Sequence, residues 1–410
     1  MIKISFTGDI MCYAEQISAI EEKGKDYNTI FSPIKDYFQD SDYVVANLET
    51  PIAGAEMLYT TEPASFNTPS NLLNALSNIN IKMVTNANNH ILDRGIDGLL
   101  RTIEELDQHN LEHTGCYEDL ATSEEIFIKN INGVKVAILS FTYGTNSEFN
   151  GNILPEDKTY MVDLLKKQSL PGQGGFQRKL HRDIWLDSKN SSRAYKLFHL
   201  LYKINSKLFP YKGGYDIDTV KETEINNPAN QIYLNRFINK LHKAHSIADI
   251  TVLCLHCGGQ YNDEIGLYTK HIFNIIKQTN STDIVIGNHP HCVQNSGFWG
   301  SRLYTYSLGN FSFTPGGKWY INTVHAEYSI VLHCHIDSTN KKIIKYTYSI
   351  FKNIIDKDGI SRVYNTFNLY KSEIDKTKKK ELAEDIRHVV KRFTKKNIDS
   401  IQKEYHLKTF

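Results

Sequence analysis

Five apolar runs in this chain end in side chains that could hold a metal ion or move a proton. Asp9 follows the alternating run Ile2 to Phe6, and Asn47 and Glu49 close the run that starts at Tyr43. Asn89 and His90 follow an apolar stretch beginning at Ile81. His256 ends the run from Ile250, and His289-Pro290-His291 comes just after Asp283 to Gly287. Each group alone has an ordinary explanation, because Asp, Asn and His are common in turns and helix caps. Carboxylates, an amide and imidazoles recurring at five strand-to-loop junctions are harder to explain that way. In α/β sheets such junctions meet along one edge, where ligands bind. Mixed oxygen and nitrogen donors suit Mn²⁺, Fe²⁺ or Zn²⁺ better than Ca²⁺. Two such ions, roughly 3.5–4 Å apart and bridged by a carboxylate, would polarise a phosphoryl oxygen and generate hydroxide at neutral pH. His289 and His291 are the sharpest pair: on an extended segment their rings point the same way, with Pro290 stiffening the link.

The elements that must position these groups follow from periodicity. Strands are expected over Ile2–Phe6, from Tyr43, from Ile81, over Val134–Ser140, Ile250–His256 and Asp283–Gly287. Helices are expected over roughly Ile30–Phe38, Ser70–Ser77, Asp97–Gln108, Gln231–His245 and His271–Lys277, the middle three with apolar residues at helical spacing. Gly8 is expected to permit an unusual turn before Asp9. Strands alternating with helices favour an α/β build. From about 143 to 230 the regularity fades, and the stretch reads as an insertion over the site. It carries Arg178, Lys179, His181, Arg182 and Trp185, and such long irregular connections often serve as lids or substrate loops. Residues 1–355 form the expected main domain. Residues 356–410 read as a helical C-terminal extension, a Lys-rich amphipathic helix pair solvated on the surface.

Composition removes several classes of function. Among 410 residues there are 47 basic and 46 acidic, so no net charge draws the chain to nucleic acid or an anionic membrane. A hydrophobic content of 40% supports a real core. No run is long enough to span a bilayer and the N-terminus has no apolar leader, so a cytoplasmic location is the default expectation. A leader or anchor upstream would overturn it. The six cysteines are too few and scattered for a disulfide framework. Cys254 and Cys257 form a lone CxxC, which elsewhere can be a redox pair or half a zinc knuckle. Here it straddles a strand, where positions three apart face opposite sides, and no second CxxC completes a zinc site.

Six short motifs occur in order: Gly8-Asp-Ile-Met11, Asn47-Leu-Glu-Thr-Pro51, Asn88-Asn-His-x-x-Asp-x-Gly95, His256-x-Gly-x-x-Tyr261, His289-Pro-His291 and Tyr306-Ser-Leu-Gly-Asn-Phe311. Together they resemble the bacterial capsule-synthesis CapA family of poly-γ-glutamate type, a branch of the calcineurin-like metallophosphoesterases. The match covers residues 2 to about 315, broken by the insertion. The resemblance implies a four-layer α-β-β-α sandwich of two mixed sheets. It implies that Asp9 and His291 hold one metal, that Asn89, His256 and His289 hold the other, and that Glu49 bridges them. It places His90 where the family protonates the leaving group, with Asp93 to orient it and Gly95 to shape the turn. Asn47 and Asn310, inside two of the motifs, are assigned with Arg178, Lys179 and Arg182 to substrate binding.

Three positions depart from the wider pattern. Met11 stands where most phosphoesterases carry a His, Gln260 where this branch usually has Glu, and Asn288 where a His is common. The first removes a nitrogen ligand, as is usual in the CapA branch. The expected activity is metal-dependent hydrolysis of a phosphate ester or related bond in making a cell-surface polymer. One or two divalent ions (Mn, Fe or Zn) are the expected cofactors. An anionic small molecule or polymer is the expected substrate, and the capsule synthesis machinery the expected partner. The alternative is a non-catalytic polymer-binding or scaffold subunit of a capsule synthesis complex. Members of this family are often membrane-anchored, whereas no membrane span is read in this chain.

Overall fold

Nine-residue Ile2–Ile10 (β1) is buried at nearly every position, the mark of a strand covered on both faces. The computed structural model, which describes residues 1–60, 65–170, 217–316 and 324–410, builds two sheets around strands of this kind. In the first, β1 lies parallel to β2 (Tyr43–Leu48), then β3 (Met83–Thr85) and β4 (Glu112–Thr114). The second sheet runs β5 (Phe127–Ile131), β6 (Val134–Thr142), β7 (Ile250–His256), β8 (Ile284–Asn288), β10 (Arg302–Thr305), β9 (Ser296–Trp299). Its inner strands β6, β7, β8 and β10 are parallel, and β5 and β9 are antiparallel at the edges. The chain then returns to the first sheet. Strand β11 (Asn310–Ser312) pairs with the end of β1, and β12 (Tyr328–Asp337), β13 (Lys342–Ile355) and β14 (Ser361–Asn365) extend the other side antiparallel. Finally β15 (Tyr405–Thr409) adds to β13.

The two sheets pack face to face. Ile4, Phe6, Val45 and Met83 of the first meet Val136, Ile138, Val252, Ile284 and Ile286 of the second in one buried cluster. Helix Asn71–Asn78 and the segments around Ile17 and Phe31 cover the outer face of the first sheet. Helices Gln231–Ile247 and Leu267–Thr279 cover the outer face of the second. The architecture is therefore a four-layer α-β-β-α sandwich of two mixed sheets. Cys254 belongs to the central cluster and Cys257 to the outer one, so the CxxC does straddle its strand, and burial pushes both thiols up.

Some local expectations need correction. In place of a helix over Ile30–Phe38 there is a short turn of helix, Asn28–Phe31, and a 3-10 turn, Ser32–Ile34, because Pro33 lacks the N–H that would continue the ladder. Gly8 makes no special turn. A Cβ there would sit 1.8 Å from the Gly309 carbonyl oxygen, so glycine is needed for the close approach of β11 to β1. The charged tail is more than surface helices. Lys376–Thr394 turns Ile386, Val389, Val390 and Phe393 into the cluster between the sheets, and Tyr405 of β15 joins them. The lysines hid this, since they occupy the opposite, solvated face of the same helix. Among the described residues no helix is long and apolar enough to cross a membrane.

Phe393→Ala should cost about 3–5 kcal/mol of stability, as for other fully buried aromatics. Lys380→Ala on the exposed face should change it by less than about 0.5 kcal/mol. Urea denaturation of the full chain compares them, and equal midpoints would show that the tail helix is not part of the core.

Candidate metal centre

The carboxyl ends of β1, β2, β7 and β8 open at one edge, where both sheets deliver polar side chains into a buried space. Asp9, Glu49, Asn89, His256, His289 and His291 come together there, each at most 2% exposed. Asp9 sits in the last turn of pleat of β1, just past an irregularity in its pairing with β2. Its Oδ1 accepts from Asn47 Nδ2 at 2.7 Å, and its Oδ2 accepts from the backbone N–H of His289 at 3.1 Å. Glu49 follows β2, its backbone N–H held by the Ile10 carbonyl at 3.0 Å.

His289 and His291 are not on an extended segment. Their φ angles are 96° and 54°, both in the left-handed region that non-glycine residues rarely adopt. That backbone divides the pair. His289 Nδ1 lies 3.1 Å from His256 Nε2, whereas His291 Nε2 lies 3.7 Å from Glu49 Oε1 on the Asp9 side. Two groups of potential ligand atoms result, Glu49 with His256 and His289, and Asp9 with Glu49 and His291. Glu49 is common to both.

Hydrogen bonds aim several of these rings. Asn310 donates through Nδ2 to the carbonyls of His291 and Ala326, both at 3.0 Å, which fixes its amide with Oδ1 facing His291 Nδ1 at 3.0 Å. An amide oxygen only accepts, so His291 carries its hydrogen on Nδ1 and presents the lone pair of Nε2 toward Glu49. Asn89 Oδ1 lies 2.7 Å from His256 Nε2, while its Nδ2 donates to Asn146 Oδ1 at 3.1 Å. Thr219 Oγ1 meets His289 Nε2 at 2.9 Å. Metal-binding imidazoles are commonly oriented by such partners on the other ring nitrogen.

The donor set fits divalent metal. His256 Nε2 has Asn89 Oδ1, His289 Nδ1 and Glu49 Oε1 at 2.7, 3.1 and 3.2 Å. One N–H proton cannot serve three neighbours, but ligands of one first-row ion with bonds of about 2.1 Å stand about 3 Å apart in octahedral and about 3.4 Å apart in tetrahedral geometry. Both oxygens of Glu49 are buried and lack a hydrogen-bond partner among the described residues. Burial, and then the negative charge of Asp9, push the Glu49 carboxyl well above its usual range. Burial would raise Asp9 too, but the close His291 ring, its Nδ1 3.6 Å from Oδ2, and the charge-stabilising His256 imidazole hold it below the ordinary value. Burial lowers His256 to about 4, which keeps it neutral as a ligand must be.

His90 stands beside these groups. Its Nδ1 meets Asp93 Oδ2 at 2.6 Å, and the ring packs edge-on against Phe66, centroids 4.6 Å apart. Burial opposes its charging, but the Asp93 carboxylate outweighs that and raises the His90 pKa. Asp93 is itself held by the Phe66 backbone N–H at 2.7 Å and by Asn150 Nδ2 at 3.1 Å. Arg178, Lys179 and Arg182 lie outside the described residues. Asn47 and Asn310 are buried, and the contacts of their Nδ2 groups and of Asn310 Oδ1 are with protein neighbours, principally the ligand-type side chains. Sequence reasoning missed Asn146 and Thr219, one at each described end of the irregular stretch. Asn146 Nδ2 lies 3.1 Å from His90 Nδ1. Neither stands in a periodic run or a motif that could have flagged it.

Fold and site together define a two-sheet α/β protein with a carboxylate shared between two potential metal positions. The chain belongs to the bacterial capsule synthesis protein family PGA_cap, whose family model matches residues 3–315. It is 24% identical over 320 residues to the PGA biosynthesis protein CapA of Bacillus subtilis, and 23% identical over 319 residues to the capsule biosynthesis protein CapA of Bacillus anthracis. Each alignment covers 77% of this chain but 64% and 60% of those proteins, so the chain spans less than two thirds of their length. Among solved structures, a phosphatase from Mycoplasma pneumoniae aligns over 91% of this chain and 97% of its own, at 12% identity and a TM-score of 0.37. A dimetal phosphatase from Danio rerio aligns over 72% and 87%, at 8% identity and 0.29. At such scores the fold is read from this chain's own strands.

Glu49 makes the metal-free fold pH-sensitive. Its folded pKa exceeds the unfolded value of about 4.3, so the folded state binds more protons and loses stability as pH rises through that interval. In chelator-treated protein, Glu49→Gln should flatten this fall in Tm. In the parent chain the Tm gain from added Mn²⁺ or Zn²⁺ should grow with pH, since the ion displaces the Glu49 proton. A gain that is independent of pH, or retained in full by Glu49→Gln, would remove Glu49 from the ligand set.

Proposed function

We propose that the chain is a metal-dependent hydrolase of a phosphate ester or related bond, acting in the synthesis of a cell-surface polymer. The observation that carries this reading is Glu49, a buried carboxylate whose two oxygens have no hydrogen-bond partner among the described residues, set between Asp9 and three imidazoles. In this reading Asp9, Glu49 and His291 hold one ion, and Glu49, Asn89, His256 and His289 the other. Bound there, divalent ions would supply positive charge to phosphoryl oxygens and acidify water.

The remaining groups handle the proton and the geometry. His90, with Nδ1 committed to Asp93, offers Nε2 as the acid that protonates the departing oxygen. Its raised pKa keeps that proton in place near neutral pH. Asn47 and Asn310 act by orienting Asp9 and His291, given that their described contacts lie within the protein. Asn146 braces Asn89 directly and His90 by donating to the Asp93 carboxylate, and Thr219 braces His289. Arg178, Lys179 and Arg182 are assigned to an anionic substrate on their chemistry alone. The insertion at about 143–230 completes the proposal, and residues 356–410 are taken with the main domain because β14, β15 and the helix Lys376–Thr394 share its sheet and core.

Metal-replete protein should cleave an aryl phosphate or a phosphodiester, and His90→Asn should lower kcat about 10²–10⁴-fold. Asp93→Asn lowers the His90 pKa, so activity should be lost at lower pH on the basic side of the profile. If folded, metal-loaded protein turns over nothing in such a panel, the hydrolase reading is withdrawn. The scaffold reading then stands in its place, and one observation already leans that way. Met11, where a nitrogen ligand is common, is buried in an apolar cluster with Tyr13, Phe66 and Tyr261.

Neutralising Arg178, Lys179 and Arg182 together should raise KM for charged substrates while leaving kcat for a neutral phosphotriester unchanged. Equal KM values would take these three out of the substrate site.

A further inference from the structure

A second set of ligand-type side chains lies outside the centre, where residues 324–327 meet the helix Lys376–Thr394. His325 Nδ1 stands 4.0 Å from Glu327 Oε1 and 3.9 Å from Asp385 Oδ1, and the three donor atoms lie within 4.8 Å of one another. These separations are too long for hydrogen bonds between the groups. Tetrahedral ligands at zinc distances of about 2.0–2.1 Å stand about 3.4 Å apart, so a small closure would bring them onto one ion. The side chains are partly buried, at 25, 15 and 30% exposure.

The surroundings preorganise this set. Asp385 Oδ2 accepts from the Tyr328 hydroxyl at 2.7 Å and lies 3.6 Å from Lys352 Nζ, which leaves Oδ1 turned to His325. The His325 ring packs 4.9 Å from that of His388. His388 Nε2 meets Arg392 at 3.0 Å, so its lone pair is engaged with the guanidinium and stays out of the donor set. The Glu327 carbonyl accepts from the Asn353 backbone N–H at 2.8 Å, tying the segment to β13. With Lys352 and Arg392 nearby, charge alone would hold a hard cation poorly. An imidazole with two carboxylates favours a borderline ion such as zinc.

We propose that His325, Glu327 and Asp385 bind one transition-metal ion of the Zn²⁺ class at a site separate from the Glu49 centre. Three protein ligands leave a position for water. The ion ties the 324–327 segment to the C-terminal helix. Ala326, between two of the ligands, accepts from Asn310 Nδ2, and Asn310 in turn aims His291. The site therefore braces the same segment that backs the centre.

The test uses the full chain carrying Asp9→Asn, Glu49→Gln, His256→Gln and His289→Gln, which silences the centre by removing ligands at both of its positions. Calorimetric titration with ZnCl₂ should find one ion per chain, and Co²⁺ should give a visible band of a low-coordinate nitrogen–oxygen site. Adding His325→Ala and Glu327→Gln should weaken zinc binding more than about 100-fold, beyond what loss of an orienting partner costs. The metal-free Tm, measured alongside, checks that the added pair leaves the chain folded despite the lost packing of His325 on Tyr328 and His388. No zinc bound by the silenced chain, or binding unaltered by the added pair, would overturn the site. Neither result depends on hydrolytic activity.

Discussion

A carboxylate that accepts no hydrogen bond among the described residues lies at the meeting of the two sheets, and much of the molecule can be understood as what keeps it there. Burying a lone ionised carboxyl is costly unless something positive replaces the water it loses. Glu49 meets that cost with a proton or with metal, and the three imidazoles around it are spaced for the second. The carboxylate comes from the first sheet and the imidazoles from the second and the loop beyond it. Their registry therefore depends on the apolar cluster between the sheets, far more than on any local turn.

Burial is the second theme. Asp9, Glu49 and His291 shift their proton affinities in different directions although all three are dry. Neighbours decide the sign: His291 and His256 hold Asp9 down against its burial, the negative charge of Asp9 adds to burial at Glu49, and the carboxylates of Glu49 and Asp9 raise His291 against its burial. Strain is accepted at the same place. His289 and His291 both keep left-handed backbones, which cost of the order of 1–3 kcal/mol each and persist where the surroundings over-determine them. Here the constraints are the Asp9 carboxylate on one side and the Asn310 amide on the other.

Strand ends were legible because a continuous apolar run that stops at Asp, Glu, Asn or His is visible without any knowledge of tertiary structure. The motif order then pointed to the four-layer build. The turn around Pro290 was misread, because an x-Pro-x triplet suggests extended backbone and only its neighbours impose the left-handed one. Thr219 and Asn146 were invisible for a related reason: they reach the centre from an irregular stretch with no period. The tail deceived through its lysines. Its apolar residues, Ile386, Val389, Val390 and Phe393, are spaced for one face, but nothing local says that the face closes a core shared by both sheets.

The contact from the His289 N–H to Asp9 joins residues 280 positions apart. It has a consequence for the order in which the molecule is made. Closing so long a loop is entropically expensive and must wait until local and sheet contacts have formed. Asp9 emerges from the ribosome first and His291 only after nearly three quarters of the chain. An ion arriving early finds half a cage, with nothing to choose it by. On the proposed reading, discrimination between metals belongs to the folded chain, in which both sheets hold the ligands in register.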